Sequence, residues 1–158
     1  MKRIPKSVAL KLEQREQNNS LRKLSLSNNL VDFASNDYLG FSKSESIFNE
    51  THSYLIDKNI IQNGATGSRL LSGNHIVYQD AENYIAKFHQ SESALLFNSG
   101  YDANVGFFSA VPQRNDIILY DELCHASIKD GCRLSLAQKI SFKHNDLSHL
   151  KFRLENVK

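Results

Sequence analysis

A chain of 158 residues is long enough to bury a hydrophobic core, and its composition, 41% hydrophobic and 23% charged, is that of an ordinary globular protein. The net charge of +2 is small and the lysines and arginines form no block, which argues against a nucleic-acid-binding surface. No run reaches the roughly 18 apolar residues of a membrane span, and the N-terminus lacks the apolar stretch of a signal peptide. We therefore expect a cytoplasmic protein with neither nucleic acid nor a membrane as partner.

The cysteines and histidines give no pattern of metal ligands. Cys124 and Cys132 lie in one segment without a CxxC pair, which indicates two reduced thiols in the cytosol. The six histidines do not have a ligand spacing such as HExxH. The sequence therefore predicts no metal site.

The first part of the chain is predicted to contain an exposed helix followed by turns. Residues 6–23 are rich in Lys, Glu, Gln and Leu, which favours a helix with a polar surface. Residues 30–34 (LVDFA) indicate a short strand, and residues 35–40 have the composition of a turn. Residues 45–57 are weakly helical.

A glycine-rich loop over residues 63–74 precedes a succession of helices and strands. Asn74 is the expected N-cap of a helix that begins near His75, where apolar residues recur at helical spacing. The apolar run Ala94–Phe97 reads as a strand buried on both faces, and residues 93–121 as a strand–helix–strand crossover. The alternation continues with a strand at 116–120, a helix at 126–135, a strand at 139–143 and a helix at 146–156. This order predicts an α/β fold with a mainly parallel sheet flanked by helices.

Open α/β sheets bind ligands beyond the carboxyl ends of their strands. The segment from Asn98 to Tyr101 occupies such a position and opens a predicted helix. Amide groups and the dipole of a helix start favour an anion, Gly100 allows close approach of the backbone, and Ser99 offers a hydroxyl. These features predict a phosphate site, although a helix start capped by serine gives the same pattern.

A second cluster, Asp121 to Ser127, follows the next predicted strand and contains His125. An imidazole near Tyr101 and a phosphate site suits a planar, phosphorylated cofactor. The alternative is a turn at Asp121, a helix cap at Ser127 and a surface histidine. In the glycine-rich loop, Arg69 could bind an anion or could be structural.

Five motifs make the chain resemble the α-oxoamine synthases. They occur in that family's order: DFASNDYLGF (32–41), NGATGSRLLSGNH (63–75), ALLFNSGYDANVG (94–106), DELCHASIKDGCRLS (121–135) and FKHND (142–146). The resemblance implies the aspartate-aminotransferase-like fold (fold type I) with pyridoxal 5'-phosphate as cofactor. It also implies a homodimer that joins a small amino acid to an acyl-CoA with loss of carbon dioxide.

The resemblance also implies roles for individual residues. Gly100 and Tyr101 match the pair whose backbone helps to hold the cofactor phosphate, with Ser99 beside them. His125 matches the histidine that stacks on the pyridine ring and contacts the substrate. Asn36 matches an asparagine near the amino-acid carboxylate, and Arg22 matches a substrate-binding arginine. The glycine-rich loop around Gly67 and Ser68 is expected to face the cofactor region of the partner subunit.

The family's Schiff-base lysine has no counterpart among these motifs. The resemblance therefore implies the N-terminal part of such an enzyme, with an N-terminal segment at 1–44 and an incomplete cofactor-binding large domain at 45–158. Two other interpretations remain open. The chain could be a non-catalytic partial fold that binds phosphate ligands or a full-length relative, or an unstable fragment with an uncovered sheet edge.

Overall fold

The computed structural model describes residues 4–24 and 30–157. These residues belong to two compact units, Met1–Ile61 and Gln62–Lys158. The helices are α1 (Lys6–Gln17), α2 (Glu45–Asp57), α3 (Ile76–Phe88), α4 (Gly100–Ala110), α5 (Ala126–Leu134) and α6 (Leu147–Glu155), with a 3-10 turn at Phe41–Lys43 and strands β1 (Ile117–Asp121) and β2 (Gln138–Phe142). Within the described ranges, no helix is both long and apolar enough to cross a membrane.

In the first unit, α1 is shorter than the predicted helix over 6–23. It ends at Gln17 because Asn19 takes a left-handed conformation with φ of 52°. The backbone N–H of Ser20 then donates to the carbonyl of Arg15 at 2.8 Å, which closes the helix end. The predicted extension to residue 23 was wrong, since asparagine adopts this conformation more readily than most residues.

The strand predicted at 30–34 was also wrong, because this segment has no regular structure. The carboxylate of Asp32 accepts hydrogen bonds from the backbone N–H groups of Ala34 and Ser35, both at 2.9 Å. Such a local turn competes with strand pairing. By contrast, the weak helical pattern at 45–57 is confirmed as α2, with Ser44 as its N-cap.

The second unit is built around a parallel pair of strands. β1 pairs with β2 in register from Ile117–Gln138 to Asp121–Phe142, and α5 forms the connection between them. The buried side chains of Ile118, Cys132 and Ala137 form a small core on which Phe108, Tyr120 and Ile128 pack. The predicted alternation is confirmed here, and both strands lie within one residue of their predicted positions.

Helices α4 and α5 approach each other closely at Gly131. A Cβ atom at this position would lie 2.8 Å from Cβ of Phe108 and 2.9 Å from the carbonyl oxygen of Asn104. Both distances are shorter than real Cβ contacts, so the packing requires a residue without a side chain. This contact sets α4, and with it the turn at Ser99, against α5.

The strand predicted at 94–97 is not formed. Leu95 and Phe97 are 64% and 45% exposed, instead of being buried on both faces. The backbone N–H of Leu96 donates to Oε1 of Glu82 at 2.8 Å, and among the described residues no strand pairs with this segment. The predicted crossover over 93–121 therefore lacks its first strand, since a strand needs a hydrogen-bonded neighbour.

The start of α3 differs from the prediction by one residue. His75 is the N-cap, and its Nδ1 accepts the backbone N–H of Val77 at 3.2 Å. Asn74, the predicted cap, instead accepts from Arg69 through its side-chain oxygen. At the other end of the unit, Asp146 is the N-cap of α6, and its side chain accepts from the backbone N–H of His149.

Candidate functional site

The turn before α4 has the open helix start that the sequence predicts. Oγ of Ser99 accepts the backbone N–H of Asp102 at 3.0 Å and donates to its Oδ2 at 2.9 Å. A Cβ atom built on Gly100 would meet no atom within 4 Å. Because the Ser99 hydroxyl is already engaged as the cap, the backbone at Gly100 is the part of this turn that a phosphate can approach.

Tyr101 is held toward α5 by its hydroxyl. This group donates to Oδ2 of Asp130 at 2.6 Å, and Arg133 donates to Oδ1 of the same carboxylate at 2.6 Å. The hydrogen bond from Tyr101, together with Arg133, lowers the pKa of Asp130 below its ordinary value. The same bond raises the pKa of Tyr101. The pair is therefore a phenol donor and an ionised carboxylate, and the half-exposed ring of Tyr101 has a fixed anchor.

His125 is the N-cap of α5. Its Nδ1 accepts the backbone N–H of Ser127 at 3.2 Å and lies 2.7 Å from Oγ of Ser127. The Ser127 side chain is fully buried and also receives a hydrogen bond from Nδ2 of Asn104 at 2.9 Å. His125 itself is exposed. The imidazole is thus held on one edge while the residue remains accessible to a ligand.

A hydrogen-bonded pair, Asp121 and His144, joins the ends of the two strands. Asp121, the last residue of β1, lies 2.9 Å from Nδ1 of His144 and accepts the backbone N–H of Asn145 at 3.0 Å. The His144 contact is the main reason that the pKa of Asp121 is lowered. Asp121 also accepts from the backbone of Leu123, as a turn-forming residue would. This coupling of the two strand ends was not predicted, although His144 directly follows the second predicted strand.

The glycine-rich loop is tied to α3 by Arg69. Its guanidinium donates to both carboxylate oxygens of Glu82, at 2.6 and 2.9 Å, and lies 4.4 Å from the ring centre of Tyr78. The hydrogen bonds from Arg69, with that from the backbone of Leu96, lower the pKa of Glu82 to about 2. The charge of Arg69 is therefore balanced within the chain, which supports the structural alternative over anion binding.

A mostly apolar cavity of about 640 Å³ separates this loop from the segment before α4. Loop residues such as Gly67 and Arg69 line one part of it, and Leu95 to Asn98 and Asp102 line another. Because both segments line this cavity, the glycine-rich loop and the turn at Ser99 lie in the same region of the second unit.

Two of the predicted substrate residues, Arg22 and Asn36, lie in the first unit. Arg22 is exposed and lines a cavity of about 590 Å³ together with Arg15 and residues 19–21. Asn36 is exposed in the loop that Asp32 and Asp37 shape through hydrogen bonds. Neither position tests the substrate roles, which stay predictions.

The residues present fit a planar phosphorylated cofactor. The open space at Gly100 is what a phosphate requires, and the second unit adds an anchored aromatic ring at Tyr101 and an accessible imidazole at His125. Among the described residues, no group of His, Cys, Asp and Glu could hold a metal ion.

The sequence model of the aminotransferase class I and II family matches residues 28–158. The chain belongs to this family. Its members depend on pyridoxal phosphate, and its solved neighbours have the pyridoxal-phosphate-dependent transferase fold, so the predicted fold class is confirmed. The predicted resemblance is confirmed as well, since this family includes the amino-acid acyltransferases that the motifs resemble.

Individual relatives agree with this assignment. The 8-amino-7-oxononanoate synthase of Emericella nidulans is 47% identical over 143 residues, which is 89% of this chain and 35% of that protein. The structure of serine palmitoyltransferase from Sphingomonas wittichii is 32% identical with a TM-score of 0.70, over 77% of this chain and 30% of that one. The structure of 8-amino-7-oxononanoate synthase from Francisella tularensis is 29% identical with a TM-score of 0.62, over 82% of this chain and 36% of that one. The chain spans about a third of the length of the curated relatives that it matches.

Proposed function

We propose that this chain contributes one wall of the active site of a pyridoxal-phosphate-dependent acyltransferase, which condenses a small amino acid with an acyl-CoA and releases carbon dioxide. The specific activity that we propose is that of 8-amino-7-oxononanoate synthase, which joins pimeloyl-CoA to L-alanine in biotin synthesis. The observation that carries this choice is the 47% identity to the Emericella nidulans enzyme of that name over 143 residues. The motifs SNDYLG, the glycine-rich loop and FKHND support the same choice.

The described residues can perform three tasks in this reaction. The backbone at Gly100 binds the phosphate, assisted by the dipole of α4. The imidazole of His125, held at its Nδ1 edge by Ser127, would stack on the pyridine ring and contact the substrate. Tyr101, anchored on Asp130, borders the same site. When bound, pyridoxal phosphate supplies an electron sink for the charge that develops on the amino acid.

Glycine C-acetyltransferase is the second candidate of the same reaction class. It differs in using acetyl-CoA and glycine, and the residues described here do not distinguish a long acyl chain from a short one. A non-catalytic role, as a partial fold that binds phosphate ligands, is the candidate of another class. This non-catalytic role is considered because the Schiff-base lysine has no counterpart among the motifs of this chain. The homodimer and the cytoplasmic location stay predictions.

An assay of the complete protein with matched substrate pairs tests the proposal. We expect carbon dioxide release and free CoA with pimeloyl-CoA and alanine, and much less with acetyl-CoA and glycine. His125→Ala should abolish turnover, whereas His52→Ala, which changes an exposed histidine of α2, should not. Activity that survives His125→Ala would contradict the role of this residue. Borohydride treatment of the 158-residue chain with pyridoxal phosphate should trap no adduct at a single lysine, and a single specific adduct would contradict that expectation.

A further inference from the structure

The hydrogen bonds around His125 determine which ring nitrogen carries its proton. A backbone N–H can only donate, and that of Ser127 points at Nδ1 of His125 at 3.2 Å. This donor favours a lone pair at Nδ1. In the neutral ring, the proton then resides on Nε2.

The Ser127 hydroxyl can reinforce the same preference. Its oxygen lies 2.7 Å from Nδ1 of His125 and 2.9 Å from Nδ2 of Asn104. An amide nitrogen can only donate, so Oγ of Ser127 accepts from Asn104 and is free to donate its own hydrogen to Nδ1. The hydrogen bonds then run in one direction: Asn104 donates to Ser127, and Ser127 donates to His125.

The burial of Ser127 strengthens its hydrogen bonds to Asn104 and His125. The side chain is 0% exposed, so water does not compete for its two hydrogen bonds. The backbone of Asn104 lies in the close contact between α4 and α5, because its carbonyl oxygen would be 2.9 Å from a Cβ atom at Gly131. The exposed ring is thus controlled from the buried interface between the two helices.

We propose that Asn104 and Ser127 are positioning residues that hold neutral His125 as the Nε2–H tautomer, so that the ring presents a hydrogen-bond donor to a carboxylate or carbonyl oxygen of the substrate. The role toward the substrate rests on the proposed function, whereas the position of the proton does not. Neither Asn104 nor Ser127 contacts the ligand in this scheme, and both act through the imidazole.

Nitrogen-15 NMR of the histidine rings in the 158-residue chain tests the tautomer directly. At a pH where the rings are neutral, we expect Nδ1 of His125 to show the signal of an unprotonated nitrogen and Nε2 that of a protonated one. A proton found mainly on Nδ1 would overturn the proposal. His75 and His149 serve as internal references, because their Nδ1 atoms also accept backbone N–H groups, from Val77 and Lys143.

Two variants test the path through Asn104. In Asn104→Asp the new carboxylate can only accept, so Ser127 turns its hydrogen toward it and offers a lone pair to His125. We expect the Nε2–H fraction to fall below that of the unmodified chain, because only the backbone N–H of Ser127 still donates to Nδ1. Ser127→Ala removes the hydroxyl but keeps the backbone donor, so an intermediate fraction is expected. Unchanged His125 signals in both variants, with reference signals intact, would eliminate Asn104 and Ser127 as the cause.

Kinetics of the complete enzyme separate this inference from the proposed function. Asn104→Asp should lower kcat about tenfold or more while the KM for acyl-CoA changes little. Ser109→Ala, which alters a serine of α4 whose hydroxyl donates to the carbonyl of Gly106, should leave both values unchanged. A protein with the expected tautomer but no acyltransferase activity would contradict the function alone. An active enzyme with the opposite tautomer would contradict this inference alone.

Discussion

The hydroxyl of Tyr101 lies 2.6 Å from the carboxylate of Asp130, and this hydrogen bond joins the first turn of α4 to the middle of α5. His125 caps the start of the same α5 helix. Both residues that are expected to border the cofactor are therefore fixed to α5. Any displacement of α5 would move the imidazole and the anchor of the phenol together.

Replacing Tyr101 with phenylalanine isolates this hydrogen bond, because the ring is retained. The bond from Tyr101 is the largest cause of the lowered pKa of Asp130, so we expect that pKa to rise toward 3.8 without reaching it, since Arg133 remains. Carbon-13 titration of the carboxyl group measures the change. Tyr84→Phe, at a mostly exposed position of α3, is the control. An unchanged pKa of Asp130 in Tyr101→Phe would mean that the bond does not persist in solution.

Gly131→Ala should destabilise the second unit. The added Cβ would lie 2.8 Å from Cβ of Phe108 and 2.9 Å from the backbone of Asn104, so α4 and α5 must separate. We expect the free energy of unfolding to fall by about 1–3 kcal/mol in urea denaturation. Gly64→Ala is the matched control, because its Cβ would meet nothing within 4 Å. Equal stability of the two variants would show that the helices are not in this close contact.

Gly100→Ala and Ser99→Ala should affect two different properties, cofactor affinity and stability. A methyl group on Gly100 meets no atom of the chain but occupies the space from which a phosphate approaches. We therefore expect pyridoxal-phosphate affinity of the complete protein to fall about tenfold, or about 1.4 kcal/mol, with little change in stability. Ser99→Ala removes the N-cap of α4 and should cost about 1 kcal/mol of stability with a smaller effect on the affinity. Fluorescence titration and thermal unfolding of each variant give the two quantities. Tight binding by Gly100→Ala would place the phosphate elsewhere.

The Arg69–Glu82 pair predicts a pH dependence of stability. The pKa of Glu82 is lowered from 4.5 to about 2 in the folded chain, so the unfolded chain binds more protons between these values. The stabilisation by the ionised carboxylate is present above pH 4.5 and is lost as the pH falls through about 2. Glu82→Gln should flatten the dependence of unfolding free energy on pH in this window.

Glu92→Gln, which changes an exposed carboxylate just after α3, is the control. The contribution of the ion pair is the difference in unfolding free energy between Glu82→Gln and Glu92→Gln at each pH. This difference removes the effect of losing one negative charge, and denaturation curves measured from pH 2 to pH 6 supply it. Identical curves for the two variants would show that the ion pair contributes nothing to stability.

Most of the second unit could be predicted from local patterns. The apolar run around Ile118 and the alternation of polar and apolar residues around Ile140 locate both strands to within one residue, and Ser99 and Asp146 cap helices. Strand propensity and helix capping depend on residues that are close in the sequence, so these features can be predicted from local patterns. The positions of Gly100, Tyr101 and His125 around two helix starts followed from the same reasoning.

The features that the sequence did not reveal depend on distant partners or on one backbone angle. The run Ala94–Phe97 has strand composition, yet its backbone binds Glu82 instead of a neighbouring strand. Asn19 ends α1 through a left-handed conformation, and Asp32 forms a turn where a strand was expected. The hydrogen bond from Asn104 to Ser127 joins residues 23 positions apart, and no local pattern predicts it.

The carboxylate of Glu82 joins three separate stretches of the chain. It accepts from Arg69 in the glycine-rich loop and from the backbone of Leu96, while the residue itself belongs to α3. The glycine-rich loop and the turn that leads to Gly100 are therefore bonded to the same carboxylate. We expect the two segments to open together, so that hydrogen exchange reports the same opening free energy for both.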